Sequence, residues 1–77
     1  MDINEHDIVV LLVARSFTGL AKGDVGTVVH VYGDGDTLEV EFTTLGGDTV
    51  CIETLPRSAV RPVANDDRMH ARPARAG

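Results

Sequence analysis

In the run of residues 37–44, polar and apolar side chains alternate without a break from Thr37 to Thr43: Thr37, Leu38, Glu39, Val40, Glu41, Phe42 and Thr43, before Thr44 ends the pattern. A period of two sends successive side chains to opposite faces of a strand. This stretch therefore predicts a half-buried strand, with Leu38, Val40 and Phe42 toward a core and Glu39 and Glu41 toward water. Its neighbours in the fold must offer apolar residues on one side and tolerate carboxylates on the other.

Four more strand-like runs surround it, at residues 7–14, 25–32, 48–54 and 59–63, separated by Gly, Asp and Pro punctuation. No run carries a helical stripe of useful length. A long loop at 15–24 follows the first strand, a four-residue turn (Gly33-Asp34-Gly35-Asp36) the second and a three-residue turn (Leu45-Gly46-Gly47) the third. Leu55-Pro56-Arg57-Ser58 reads as one turn of 3-10 helix, with Pro56 fixing φ and Ser58 as its cap. This order predicts an all-β fold: a small SH3-like five-stranded barrel with a single 3-10 turn before the last strand. Residues 1–63 form the domain, and residues 64–77 read as a disordered C-terminal tail.

Parity predicts the pairing. Apolar residues must meet apolar residues across each hairpin. With 33–36 as turn, Val31 meets Leu38 and Val29 meets Val40, so Val25, Thr27, Val29 and Val31 point inward. With 45–47 as turn and Gly47 left-handed, Phe42 meets Val50 and Val40 meets Ile52. The outer face then collects Val28, His30, Tyr32, Glu39, Glu41, Cys51 and Glu53, with Glu41 opposite Val28 and Cys51, and Glu39 opposite His30 and Glu53.

Charge narrows the function. The chain carries seven basic and twelve acidic residues, a net charge of −5. Residues 1–63 hold four basic and ten acidic side chains, leaving −6, and residues 64–77 are +1. Nucleic-acid binding needs a basic stripe, and this core has the opposite sign, which attracts basic partners. The expected function is a small acidic protein-binding module for a basic protein. Val28, His30, Tyr32, Glu39, Glu41 and Glu53 are its partner-binding residues, with Val28 and Tyr32 as apolar anchors rimmed by carboxylates.

Other chemistry finds little footing. His6, His30 and His70 are scattered and the termini holding His6 and His70 read as frayed, so no metal site and no cofactor are expected. Ser16, Ser58 and Cys51 are the available nucleophiles, and none sits in a motif with a base and an orienting group. The chain does not read as an enzyme. Asp34-Gly35-Asp36 lacks the downstream bidentate Glu of a calcium loop and reads as a tight turn. Cys51 is the only cysteine, which fits a reducing compartment. The acidic start and the short apolar runs predict neither a signal peptide nor a membrane span, so the expected location is cytoplasmic. Oligomeric state is not legible.

Lys22-Gly23-Asp24-Val25-Gly26-Thr27-Val28-Val29 is similar to the KOW-type signature of ribosomal and transcription factors. This gives the alternative reading, a nucleic-acid or ribosome contact through Arg15, Lys22, Arg57 and Arg61. The larger resemblance is ordered along the chain. Asp7-Ile8-Val9-Val10-Leu11, Gly19-Leu20, Lys22 through Val29, Glu39-Val40-Glu41-Phe42, Thr54-Leu55-Pro56 and Val60-Arg61-Pro62-Val63 together resemble a bacterial family of short proteins, the domain-of-unknown-function family 4926. That resemblance covers roughly residues 6–63 and implies a compact β barrel. Members encoded beside small toxin-like partners imply an antitoxin or immunity-type role. The loop Arg15-Ser16-Phe17-Thr18 departs from the more acidic or Pro-containing loop that the resemblance implies.

Overall fold

The computed structural model describes residues 3–69 and 71–73. Five strands form one antiparallel sheet: β1 (Ile8–Leu11), β2 (Val25–Val31), β3 (Thr37–Thr43), β4 (Thr49–Pro56) and β5 (Val60–Pro62), in the spatial order β4-β3-β2-β1-β5. The 3-10 turn before β5 is present at Arg57–Ala59, and another lies in the β1–β2 loop at Ser16–Thr18. The all-β class and the element order therefore match the reading of the sequence. The sheet does not close. β4 and β5 are its two edges, because the 3-10 turn carries the chain past β4 to pair β5 with β1, Val10 against Arg61. That turn has no side-chain cap, so Ser58 does not play the capping role expected of it.

The core is aliphatic. Val9, Leu11, Val28, Leu38, Val40 and Leu55 are fully buried, and Phe42, Leu20, Ala59 and Val60 pack with them. Ile3 joins this cluster, and the His6 N–H donates to the Val28 carbonyl at 2.7 Å. The segment around His6 is thus docked on β2, with His6 itself at φ 75°, where a frayed terminus was expected. Gly26 is required by space. A Cβ there would lie 2.6 Å from Val40 Cγ1 and 2.9 Å from Phe42 Cε1.

Both hairpins begin in the expected register and then slip by one residue. At the β2–β3 turn, Asp34 Oδ1 accepts the N–H groups of Asp36 and Thr37, and Val31 meets Leu38 and His30 meets Glu39 as parity predicts. A β-bulge then intervenes, and Val28, not Val29, meets Val40. At the β3–β4 turn, the Thr44 N–H donates to Asp48 across residues 45–47, and Gly47 is left-handed at φ 94°. Thr43 meets Thr49, a second bulge leaves Val50 unpaired, and Phe42 meets Cys51. A bulge places two residues opposite one and shifts every later side chain to the other face.

The corrections follow from those two slips. Val28 is interior at 0% exposure, and Val29 and Val25 are exposed. Val40 meets Glu53 and Glu41 meets Ile52, reversing the expected exposure of Ile52 and Glu53. Glu41 pairs with Thr27, not Val28, and Glu39 pairs with Thr54, not Glu53.

Candidate protein-binding face

The outer face of β2, β3 and β4 is built from three cross-strand rows. Nearest the β2–β3 turn, the Tyr32 N–H donates to the Thr37 carbonyl, and Thr37 lies opposite Pro56 on β4. In the next row, Glu39 stands between His30 and Thr54. In the third, Glu41 stands between Thr27 and Ile52. Like-charge pairs across strands are destabilising, and this arrangement has none. Each glutamate is instead held by a β4 hydroxyl. Thr54 Oγ1 donates to Glu39 Oε1, and Thr49 Oγ1 donates to Glu41 Oε2 at 2.8 Å. Both glutamates are half-buried.

An aromatic pair flanks the acidic rows. The rings of His30 and Tyr32 meet edge to face, with centroids 4.7 Å apart and planes at 89°. His30 Nδ1 also lies 3.4 Å from Glu5 Oε2, which brings a third carboxylate to this face. Tyr32 is 39% exposed and Ile52 is 56% exposed. An exposed aliphatic and an exposed aromatic between carboxylates form an amphipathic surface.

Of the six expected residues, the structure brings His30, Tyr32, Glu39 and Glu41 together on this face. It removes Val28, which is core, and Glu53, which turns to the opposite side of β4. There Glu53 Oε2 accepts a 2.7 Å hydrogen bond from Thr18 Oγ1, and Oε1 accepts from Arg15 Nε at 3.2 Å. Glu53 thereby ties the β1–β2 loop to β4, through two residues of the loop that departs from the family resemblance. The sequence reading missed Ile52, Thr54 and Glu5. Ile52 and Thr54 became visible only with the bulge at Val50, and nothing in the sequence signals the approach of Glu5 to His30.

The candidate nucleophile Cys51 is half-buried. Burial, and after it the Glu53 carboxylate, push its thiol pKa up, which suppresses the reactive thiolate. Among the described residues, no three His, Cys, Asp or Glu side chains are placed to hold one metal ion, and no helix is long and apolar enough to cross a membrane. His70 lies outside the described residues.

Compared with known proteins, residues 5–62 match the model of a family described as Domain of unknown function (DUF4926). No curated protein and no solved structure matches the chain.

Proposed function

The chain belongs to the DUF4926 family, and from that premise we propose that it is a small acidic protein-binding module whose β2–β3–β4 outer face docks a basic protein. One observation carries the reading: exposed Tyr32 and Ile52 lie among Glu5, Glu39 and Glu41 on a face whose cross-strand partners include no Lys or Arg. Aromatic and aliphatic anchors supply the desolvated centre of a contact, and a charged rim supplies steering and choice of partner. A small toxin-like basic protein is the partner class that the family resemblance favours, as an antitoxin or immunity-type pair. The single thiol fits work in a reducing compartment such as the cytoplasm.

The nucleic-acid alternative is weakened by two of its own residues. Arg15 is engaged with Glu53 at 3.2 Å, and Arg61 makes a bidentate pair with Asp67 at 2.7 and 2.8 Å. Cations committed to internal carboxylates are poor phosphate ligands.

The test reverses charge on the proposed face. Full-length wild type and the Glu39→Lys/Glu41→Lys double variant are immobilised and used to capture proteins from lysate, with bound proteins identified by mass spectrometry. Wild type should retain a basic protein whose capture falls as salt rises, and the double variant should lose it. Equal capture by both removes the reading.

A further inference from the structure

Val10 is buried at 7% exposure, yet it stands outside the cluster of core residues that includes its neighbours Val9 and Leu11. Alternation along β1 explains why: Val9 points inward, so Val10 points to the outer side. There it borders a groove of about 820 Å³, shared with Ile8 and Val25 from the sheet and with Met69, Ala71 and Pro73 from the C-terminal segment.

Two arginines hold that segment in place. Arg61, on β5, grips Asp67 through both ends of its guanidinium, and Asp67 Oδ2 also accepts the Ala64 N–H at 2.6 Å. Further along, Arg72 reaches the β1–β2 loop. Its Nε donates to Asp24 Oδ1 at 2.9 Å, its Nη2 donates to Asp24 Oδ2, and Nη2 also donates to the Gly19 carbonyl at 2.8 Å. The receiving groups are set by the loop itself. Asp24 Oδ2 accepts the Ala21 N–H at 2.9 Å, and Gly19 takes a left-handed φ of 75° at the end of the first 3-10 turn.

A carboxylate presenting both oxygens, with a backbone carbonyl beside it, matches the planar fork of a guanidinium and not the point charge of an ammonium. The apolar wall next to it accepts the uncharged residues around such an arginine. We propose that the sheet wall of this groove, with Asp24 and Gly19 at its end, is a binding site for an extended arginine-bearing peptide of a partner protein. The C-terminal segment, which forms the groove's other wall through Met69, Ala71 and Pro73, is that peptide's intramolecular stand-in. Tethering gives that segment an effective concentration of order millimolar, so the site is masked until a peptide of higher affinity displaces it. This site does not depend on the acidic β2–β3–β4 face, and either can fail alone.

The test uses the full chain as wild type and as Arg72→Ala, a change confined to the tethered segment. The probe is a labelled synthetic peptide of residues 66–73, in native form and with Arg72→Gln or Arg72→Lys within the peptide. Fluorescence anisotropy gives affinity, and backbone amide shifts of Val10 and Val25 give location. The Arg72→Ala chain should bind the native peptide at least about tenfold tighter than wild type does, because the competing tether is gone. Its affinity for the Gln and Lys peptides should fall about tenfold or more. Equal binding by the two chains, no binding by either, or equal binding of the Gln peptide overturns the proposal. So does a wild-type dimer by sedimentation that Arg72→Ala abolishes, since the occupant would then be the segment of a second copy. Because the peptide series uses one unchanged protein, loss of folding cannot mimic the result.

Discussion

Val10 and Ile52 are both aliphatic, and both lie on the outer side of the sheet, yet Val10 is 7% exposed and Ile52 is 56% exposed. The two regions differ in what the rest of the chain supplies. Outside β1, the C-terminal segment crosses the surface and is fastened by Arg61–Asp67 and Arg72–Asp24. Beside β3 and β4, Glu5 approaches the outer face through His30 on β2. Val10 is the outer aliphatic buried on the side where paired charges fasten that segment, while Ile8 and Val25 on the same groove stay 53% and 51% exposed. The comparison also separates two kinds of carboxylate. Asp24 and Asp67 are spent on arginines, whereas Glu39 and Glu41 are oriented by threonine hydroxyls that leave their charge in place.

The interior beneath both regions is the first place to break the comparison. Phe42 is core and also lines the groove. Truncating a buried phenylalanine costs about 3–5 kcal/mol, as much as the roughly 3–5 kcal/mol a domain of this size has in total. Phe42→Ala should therefore be unfolded at room temperature by circular dichroism, with both surfaces lost together. Gly26→Ala attacks the same contact from the other side. Its new methyl would meet Val40 Cγ1, Phe42 Cε1 and the Glu41 carbonyl, at 2.6, 2.9 and 3.0 Å. Overpacking of this kind costs about 1–3 kcal/mol, and urea denaturation should show a lowered midpoint with unchanged slope.

A matched pair of substitutions sharpens the comparison. Val10→Ala removes carbon that is out of water and should cost about 1–2 kcal/mol, at about 0.8 kcal/mol for each buried methylene. Ile52→Ala removes carbon that is largely wet and should stay within about 0.5 kcal/mol. Equal costs in urea denaturation would mean that the segment does not cover Val10 or that something covers Ile52.

How much of this was legible in the sequence divides at the bulges. Alternation in β3 fixed which of its residues are interior, and the turn chemistry of Asp34 and Gly47 fixed where both hairpins start. Pairing was correct from each turn as far as Val29 and Val50, and wrong by one beyond them. Valine is an ordinary strand residue, so neither bulge has a local signal. A bulge is chosen by sheet curvature, a property of the whole interior. Hence alternation alone places Val28 on the surface and Ile52 in the core, the reverse of what is found. The contacts of the C-terminal segment were invisible for a different reason. Arg72 and Asp24 are distant in sequence, and a lone arginine in a Pro- and Ala-containing stretch carries no period from which a docking position could be read.

The finest distinction between the two regions lies in their response to acid. Hydrogen bonds from Arg61, and after them the Ala64 N–H, hold the Asp67 carboxyl at about 2, below its ordinary value of 3.8. A carboxyl lowered in the folded state stabilises above its unfolded value and loses that contribution as pH falls through its folded value. The hold on the segment should thus be complete above about pH 4 and should fade as pH falls from 3.8 toward 2. Since this pair faces solvent, the expected event is local release of the segment, not unfolding of the sheet. The Met69 methyl and Val10 amide resonances should move in that window while those of Ile52 do not follow the same curve. Asp34 serves as the internal control: its carboxyl is lowered chiefly by the Asp36 N–H, so its titration should register in the β2–β3 turn and not at Val10. Asp67→Asn should place Met69 and Val10 near their acid positions already at neutral pH. If Val10 instead tracks Asp34, or Asp67→Asn leaves Met69 unmoved, then the ion pair does not fasten the segment, and the contrast between the two outer faces needs another cause.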